Sequence, residues 1–297
     1  MPLNAQPFCH VFESMTTRCE LQFHGVTADQ GQAVALAIEA RVAGLVRRYN
    51  FHAPGSWLTK AVNERRGNTV ELDEEAAKVL GVVREHAQRT RGVFDITVGT
   101  YAQALKSART AADVLATRKR LQPYTGLARW SLEGRTLSFD NARTRFDLGG
   151  VIKEHAVDVS AQIAMDAGVP AGLVNYGGDL RAFGLKPGQA RFVAAIPHPQ
   201  RPGQMMFGLD LEDQALTTSA HYARQRALKG TVLSHVIGAD TAEARWISAS
   251  VISRSALISG IYSTALLIAD DIDLPQDVHA VTVDRDNGIH RLAAKTC

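Results

Sequence analysis

The stretch RFDLGGVIKEHAVDVSAQIAMDAGVPAGLVNYGGDLRAFG, residues 145–184, sets two double-glycine turns, a lysine and several carboxylates within one short span. Each Gly-Gly follows a short apolar run, 146–148 and then 173–176, and reads as a strand end turning sharply. Between them Val151, Ile152, Ala156, Val157, Ile163, Ala164 and Ala167 recur with helical spacing. Gly168 stands where that helix stops, and Pro170 prevents its resumption. The predicted order is strand, turn, helix, strand, turn, strand. A glycine turn feeding a helix leaves unpaired backbone N–H groups on the positive end of the helix dipole, which suits a phosphate. A glycine pair also serves tight packing alone. Two of them joined by Lys153, Asp158, Asn175 and Asp179 favour a binding site.

A chain of 297 residues can bury a large core as one elaborated domain or two modest ones. Its 33 basic and 30 acidic residues leave a net charge of +3, and the arginines are scattered rather than gathered into a run. That balance, with few aromatics, argues against a nucleic-acid partner. Cys9, Cys19 and Cys297 are far apart and form no CxxC pair, so neither a disulfide framework nor a thiolate zinc site is expected. The first residues lack a basic start followed by an apolar run. The longest apolar stretch, 256–269, is too short to span a bilayer and is interrupted by Ser259, Gly260, Ser263 and Thr264. A cytoplasmic location with no membrane contact is the expectation.

Along the chain, 17–25 alternates like a half-buried strand, and 27–30 resembles a cap for a helix ending near Arg48. After an irregular stretch, 49–67, a second helix is predicted over 73–90, opened by Asp73, Glu74 and Glu75. In 90–99 a carboxylate, Asp95, and a hydroxyl, Thr97, sit among apolar residues. Asp95 is either an anchor for backbone N–H groups or a site carboxylate, and burial favours the anchor. A capping box at Thr110 and Asp113, a hairpin over 130–139, strands near 192–196, 206–211, 215–219, 232–237, 246–252 and 278–283, and a helix after Ser255 complete the pattern. The expected fold is α+β, a single elaborated domain in one lobe or two, with mixed sheets and packed helices. Residues 1–14 read as an N-terminal extension and 15–297 as the domain.

These residues resemble, in order, the motifs of the ApbE family, the FAD:protein FMN transferases. The segment GVFDITVG at 92–99 is similar to the family's GxFDxTxG. DLGGVIK at 147–153 with Asp158 resembles DLGGxxKGxxxD, and Asn175, Gly177, Gly178 and Asp179 resemble NxGGD. Thr218, Ser219 and Tyr222 are similar to TSGxY, and His235 opens a counterpart of HIxDPxTG. The resemblance implies an enzyme that cleaves FAD and transfers FMN to a Ser or Thr hydroxyl of an acceptor protein, with Mg2+ balancing charge. It also implies roles. Ser56 and Asn63 border the flavin. Asp95, Thr97, Gly149, Gly150, Asp158, Asn175, Gly177, Gly178, Asp179 and Thr218 form the rest of the nucleotide site. His235 is the base, and Thr264 is a metal ligand. Read without the resemblance, His235 is a core histidine between apolar strand residues. Lys153 either faces the phosphates, as a catalytic cation, or pairs with Asp158 or Glu154.

Departures from the motifs cluster in the catalytic half. Gly260 stands where the family has a metal-binding aspartate, four residues before Thr264, so Thr264 alone should hold the ion weakly and Gly260→Asp should tighten it. Glu154 replaces the glycine after the lysine, Ala220 and His221 alter TSGxY, and 238–242 lacks the DPxTG residues. His221, Asp240 or substrate phosphates would then complete the coordination. The main expectation is a working flavin transferase with an altered metal site. The alternative is a catalytically impaired flavin-binding paralogue serving as carrier or partner. An oxidoreductase is disfavoured, because no GxGxxG follows a strand.

Overall fold

A computed structural model describes residues 6–105, 108–201, 203–220, 225–228, 231–234 and 245–294. The chain starts with a hairpin, β1 (Phe8–Ser14) and β2 (Thr17–His24). Helix α1 (Ala28–Tyr49) follows, capped by the Thr27 side chain, which accepts from the Gln30 N–H at 3.2 Å, with Arg47 and Arg48 at its negative end. A π-helical turn at Leu58–Asn63 and strand β3 (Thr69–Glu71) lead to α2 (Glu74–Arg89), capped by Asp73. Short helices α3 (Gly99–Leu105) and α4 (Ala111–Leu121) precede the hairpin β4 (Trp130–Glu133) and β5 (Thr136–Phe139). Thr110 and Asp113 form the expected capping box of α4.

Helix α5 (Gly149–Asp166) then runs into β6 (Ala171–Tyr176) and β7 (Asp179–Phe183). The hairpin β8 (Phe192–Pro197) and β9 (Met205–Leu211) comes next, followed by β10 (Ala215–Ala220), β11 (Gln225–Leu228) and β12 (Thr231–Ser234). Strand β13 (Trp246–Ser253), helix α6 (Ala256–Ile268), β14 (His279–Asp284) and β15 (Ile289–Leu292) close the fold. An eight-stranded antiparallel sheet, ordered β1-β2-β6-β7-β10-β13-β14-β15, organises all of this. The architecture is α+β, as expected.

Helices α1, α5 and α6 cover one face of the sheet, where Phe23, Ile38, Phe146, Val174, Tyr176 and Tyr262 share the main core. The hairpin β8–β9 covers part of the other face through Leu180, Ala182, Phe192 and Leu216. Pleat alternation divides each strand between the two cores. On β10, Ala215 packs in the main core, whereas Leu216 packs under β8 and β9.

Two sequence expectations need correction. Residues 146–148 are not a strand, because their backbone groups pair with a side chain and a turn rather than with a neighbouring strand. Residues 49–67 are not wholly irregular, since they contain the π-helical turn. Phe8–Ser14, an extension in sequence terms, supplies the edge strand β1. Among the described residues no helix is long and apolar enough to cross a membrane.

Candidate active site

The turn at Gly149 and Gly150 is held from behind. Asn63 is 4% exposed and grips Phe146 through both amide atoms: Nδ2 donates to Phe146 O at 2.9 Å, and Oδ1 accepts from Phe146 N at 2.7 Å. From the other side the Asp147 N–H donates to Ile96 O at 2.8 Å. Gly99 permits this approach, since a Cβ there would lie 2.6 Å from the Phe146 carbonyl carbon. Asp95 accepts from the Thr97 N–H at 2.8 Å and from the Thr97 hydroxyl, which itself accepts from the Gly126 N–H at 2.7 Å. Burial raises the Asp95 pKa above its ordinary value, and the hydrogen bonds from Thr97 oppose that shift. Asp95 is therefore the structural anchor that burial favoured. Ser56, also buried, accepts from the Thr59 N–H at 3.1 Å and starts the π-helical turn that carries Asn63.

Helix α5 begins directly at the glycines, and Leu148 offers no side-chain cap. Gly149 and Gly150 are exposed. The Gly149 N–H donates to Asp147 Oδ1 at 2.9 Å. Beside this end lies a cavity of about 390 Å3. Its apolar lining comes from Leu45, Tyr49, Phe51, Leu148 and Ile152, and its polar lining from Thr16, Asp147, Gly149 and Lys153. Met15 and Thr16, in the β1–β2 turn at its edge, hold positive φ of 51° and 58°. That is unfavourable for side-chain-bearing residues, and more so for β-branched threonine.

The second glycine turn adjoins the first hairpin. Gly177 has φ 62°, and a Cβ on it would land on Thr17 Oγ1. The Gly178 N–H donates to Asn175 Oδ1 at 2.9 Å, so Asn175 shapes the turn while its amide reaches Glu20. Asp179 follows, buried and ion-paired with Lys153. Lys153 Nζ also lies 3.5 Å from Glu154 Oε1. The partners of Lys153 are thus Asp179 and Glu154. Asp158 instead pairs with Arg181 at 2.9 Å. It accepts from the Ser255 hydroxyl at 2.7 Å, Ala256 N at 2.9 Å and Leu257 N at 3.1 Å, capping α6. Those bonds occupy both of its oxygens.

On α6, Thr264 meets Ser219 of β10, whose hydroxyl is 2.9 Å from Ser263 Oγ and 3.4 Å from Thr264 Oγ1. Thr218 points to the opposite sheet face, 2.9 Å from Ser250 Oγ. Pleat alternation separates it from Thr264, and Ser219, given no role of its own by the motif resemblance, is the hydroxyl on the α6 side. Gly260 lies against Glu154: a Cβ there would sit 2.7 Å from Glu154 Cγ. An aspartate at 260 would therefore require the Glu154 side chain to move.

Among the described residues no group of three or more His, Cys, Asp or Glu side chains could hold a metal. Magnesium accepts less, since one or two carboxylates with hydroxyls, waters and substrate phosphates suffice. The hydroxyls of Ser219 and Thr264 are hard oxygen donors, and Glu154 Oε2 is buried without a hydrogen-bond partner among the described residues. These residues fit a small divalent cation. His235, His221, Tyr222 and Asp240 lie outside the described residues.

A profile of the ApbE family matches residues 15–280. The FAD:protein FMN transferase of Rhodobacter capsulatus is 28% identical over 273 residues, covering 88% of this chain and 51% of that protein. Its counterpart in Vibrio cholerae is 28% identical over 210 residues, covering 67% of this chain and 60% of that protein. The chain thus spans about half to three-fifths of the length of these relatives. The solved ApbE protein of Thermotoga maritima shares the fold, with a TM-score of 0.83 at 21% identity over 96% of this chain and 97% of that one. By the profile match over most of its length, this chain belongs to the ApbE family.

Proposed function

We propose that this chain is an FAD:protein FMN transferase, with residues 15–297 forming the transferase domain. Support comes chiefly from the cavity at Gly149, which sets an apolar, aromatic lining beside a lysine and a helix N-terminus. Flat apolar walls suit the isoalloxazine ring. Backbone N–H groups and Lys153 suit the pyrophosphate.

In the reaction the hydroxyl oxygen of an acceptor Ser or Thr attacks the FMN phosphorus. The bond from that phosphorus to the bridging oxygen breaks, AMP departs, and the hydroxyl proton passes to a base, assigned to His235 by the family motif. Gly149, Gly150, Gly177 and Gly178 present backbone to the nucleotide. Asn63, Asp95, Thr97 and Ser56 act behind them by fixing the 145–148 segment. Lys153, held by Asp179, lines the cavity beside the helix N-terminus. Mg2+, held by Thr264 with Ser219, would neutralise phosphate charge. The free Cys9 and Cys19 accord with a cytoplasmic setting.

The test is incubation with FAD, Mg2+ and a flavin-accepting protein, read by intact mass. An FMN adduct that is lost in His235→Ala supports the reading. Bound FAD with no adduct from the unmodified chain refutes it and leaves a flavin-binding paralogue.

A further inference from the structure

We propose that Glu154, on α5, supplies across the helix pair the carboxylate that Gly260, on α6, lacks for a divalent cation. The need for a cation rests on the transferase reading, whereas the identity of the ligand rests on three observations.

First, the Glu154 side chain is only 7% exposed, and its Oε2 is buried with no hydrogen-bond partner among the described residues. A buried carboxylate oxygen left unpaired is costly and calls for a compensating cation. Lys153 approaches only Oε1, at 3.5 Å, and is itself paired with Asp179. The carboxyl groups of Glu154 and Asp179 therefore share one lysine side chain.

Second, the Glu154 side chain occupies the volume that a side chain at 260 would enter. A Cβ on Gly260 would lie 2.7 Å from Glu154 Cγ and 3.3 Å from Cδ. The Glu154 carboxyl carbon thus sits 3.3 Å from the point where a side chain at 260 would begin.

Third, one turn along α6 from Gly260, the Thr264 hydroxyl lies on the same helix face. Ser219 Oγ stands 3.4 Å from it. Carboxylate and hydroxyl oxygens are the ligands that magnesium and manganese prefer. The two sequence departures, a glutamate gained at 154 and a glycine at 260, are then one exchange of a carboxylate between facing helices.

The experiment follows Mn2+ binding by electron paramagnetic resonance, with FAD present and no acceptor protein. Three proteins are compared: the unmodified chain, Glu154→Gln, and the exchange variant Glu154→Gly with Gly260→Asp. Glu154→Gln keeps the shape and removes the charge, and circular dichroism verifies its fold. Its Mn2+ affinity should fall roughly tenfold or more. The exchange variant should regain affinity to within about threefold of the unmodified chain, since it returns one carboxylate to one site. Unchanged affinity in Glu154→Gln overturns the proposal, as does an unmodified chain that binds no Mn2+. If the exchange variant fails to fold, the Glu154→Gln result decides alone. Glu154-dependent Mn2+ binding without acceptor modification would sink the transferase reading and leave this inference standing. Acceptor modification with Mn2+ affinity indifferent to Glu154 would do the reverse.

Discussion

Asn63 and Phe146 are joined across 83 positions of sequence by a reciprocal pair of hydrogen bonds, from side-chain amide to backbone, at 2.9 and 2.7 Å. Phe146 is fully buried, so neither of its backbone groups has water as a substitute. Asn63→Ala leaves both unsatisfied and should lower unfolding stability by about 3 kcal/mol. FAD affinity should weaken in parallel, because the Gly149 turn lies three residues on. Urea denaturation and flavin fluorescence titration measure the two effects. Unchanged stability would show that the pair does not position the turn.

The glycines of the two turns should separate stability from binding. Gly177 needs positive φ and has Thr17 Oγ1 where its Cβ would go, so Gly177→Ala should cost about 2 kcal/mol or more. At Gly150 φ is −91° and, among the described residues, nothing lies within 4 Å of an added Cβ. Gly150→Ala should therefore leave the melting temperature unchanged or slightly raised while weakening FAD binding. A Gly150→Ala protein that binds FAD normally would remove the phosphate role from this turn.

Much of this scaffold is legible in the sequence, for local reasons. Helix α5 and its stop are written in apolar spacing, Gly168 and Pro170, and the caps at Thr27, Asp73 and Thr110 lie within three residues of the groups they serve. Strand β1 was missed because its exposed positions include Cys9 and Val11 while His10 faces inward, so no polar–apolar alternation marks it in the sequence. The Asn63–Phe146 clamp and the contact of Glu154 with Gly260 join positions about 80 to 110 residues apart. No periodicity carries such pairs, because only the fold brings them together. Which hydroxyl meets α6 is hidden for another reason: adjacent hydroxyls on a strand face opposite sides, and the motif does not say which side holds α6.

Ser219 and Thr218 consequently make a paired test. Ser219→Ala removes the hydroxyl beside Thr264 and should weaken Mn2+ binding several-fold, whereas Thr218→Ala should change it by less than about twofold. Calorimetric Mn2+ titration of both variants distinguishes them. Equal losses would place the metal elsewhere.

Acid sensitivity should trace in part to the buried histidines. His86 Nδ1 lies 3.1 Å from the Tyr262 hydroxyl, and burial holds its pKa below the ordinary 6.5. His24 is lowered by burial and then by Lys186. A histidine whose folded pKa is depressed takes up its proton more readily when unfolded, so stability falls as pH drops from 6.5 towards the folded value. Thermal melts of His86→Gln should show a shallower loss over that window than the unmodified chain. An identical slope would mean that His86 is not among the responsible groups.

The most direct measurement counts products of one reaction mixture containing the protein, FAD, Mg2+ and an acceptor protein. Intact mass gives FMN attached, and chromatography gives AMP released. Transfer as described yields one AMP for each FMN adduct, because a single bond to phosphorus breaks as another forms. AMP released without adduct, or neither product while FAD is bound, would contradict it.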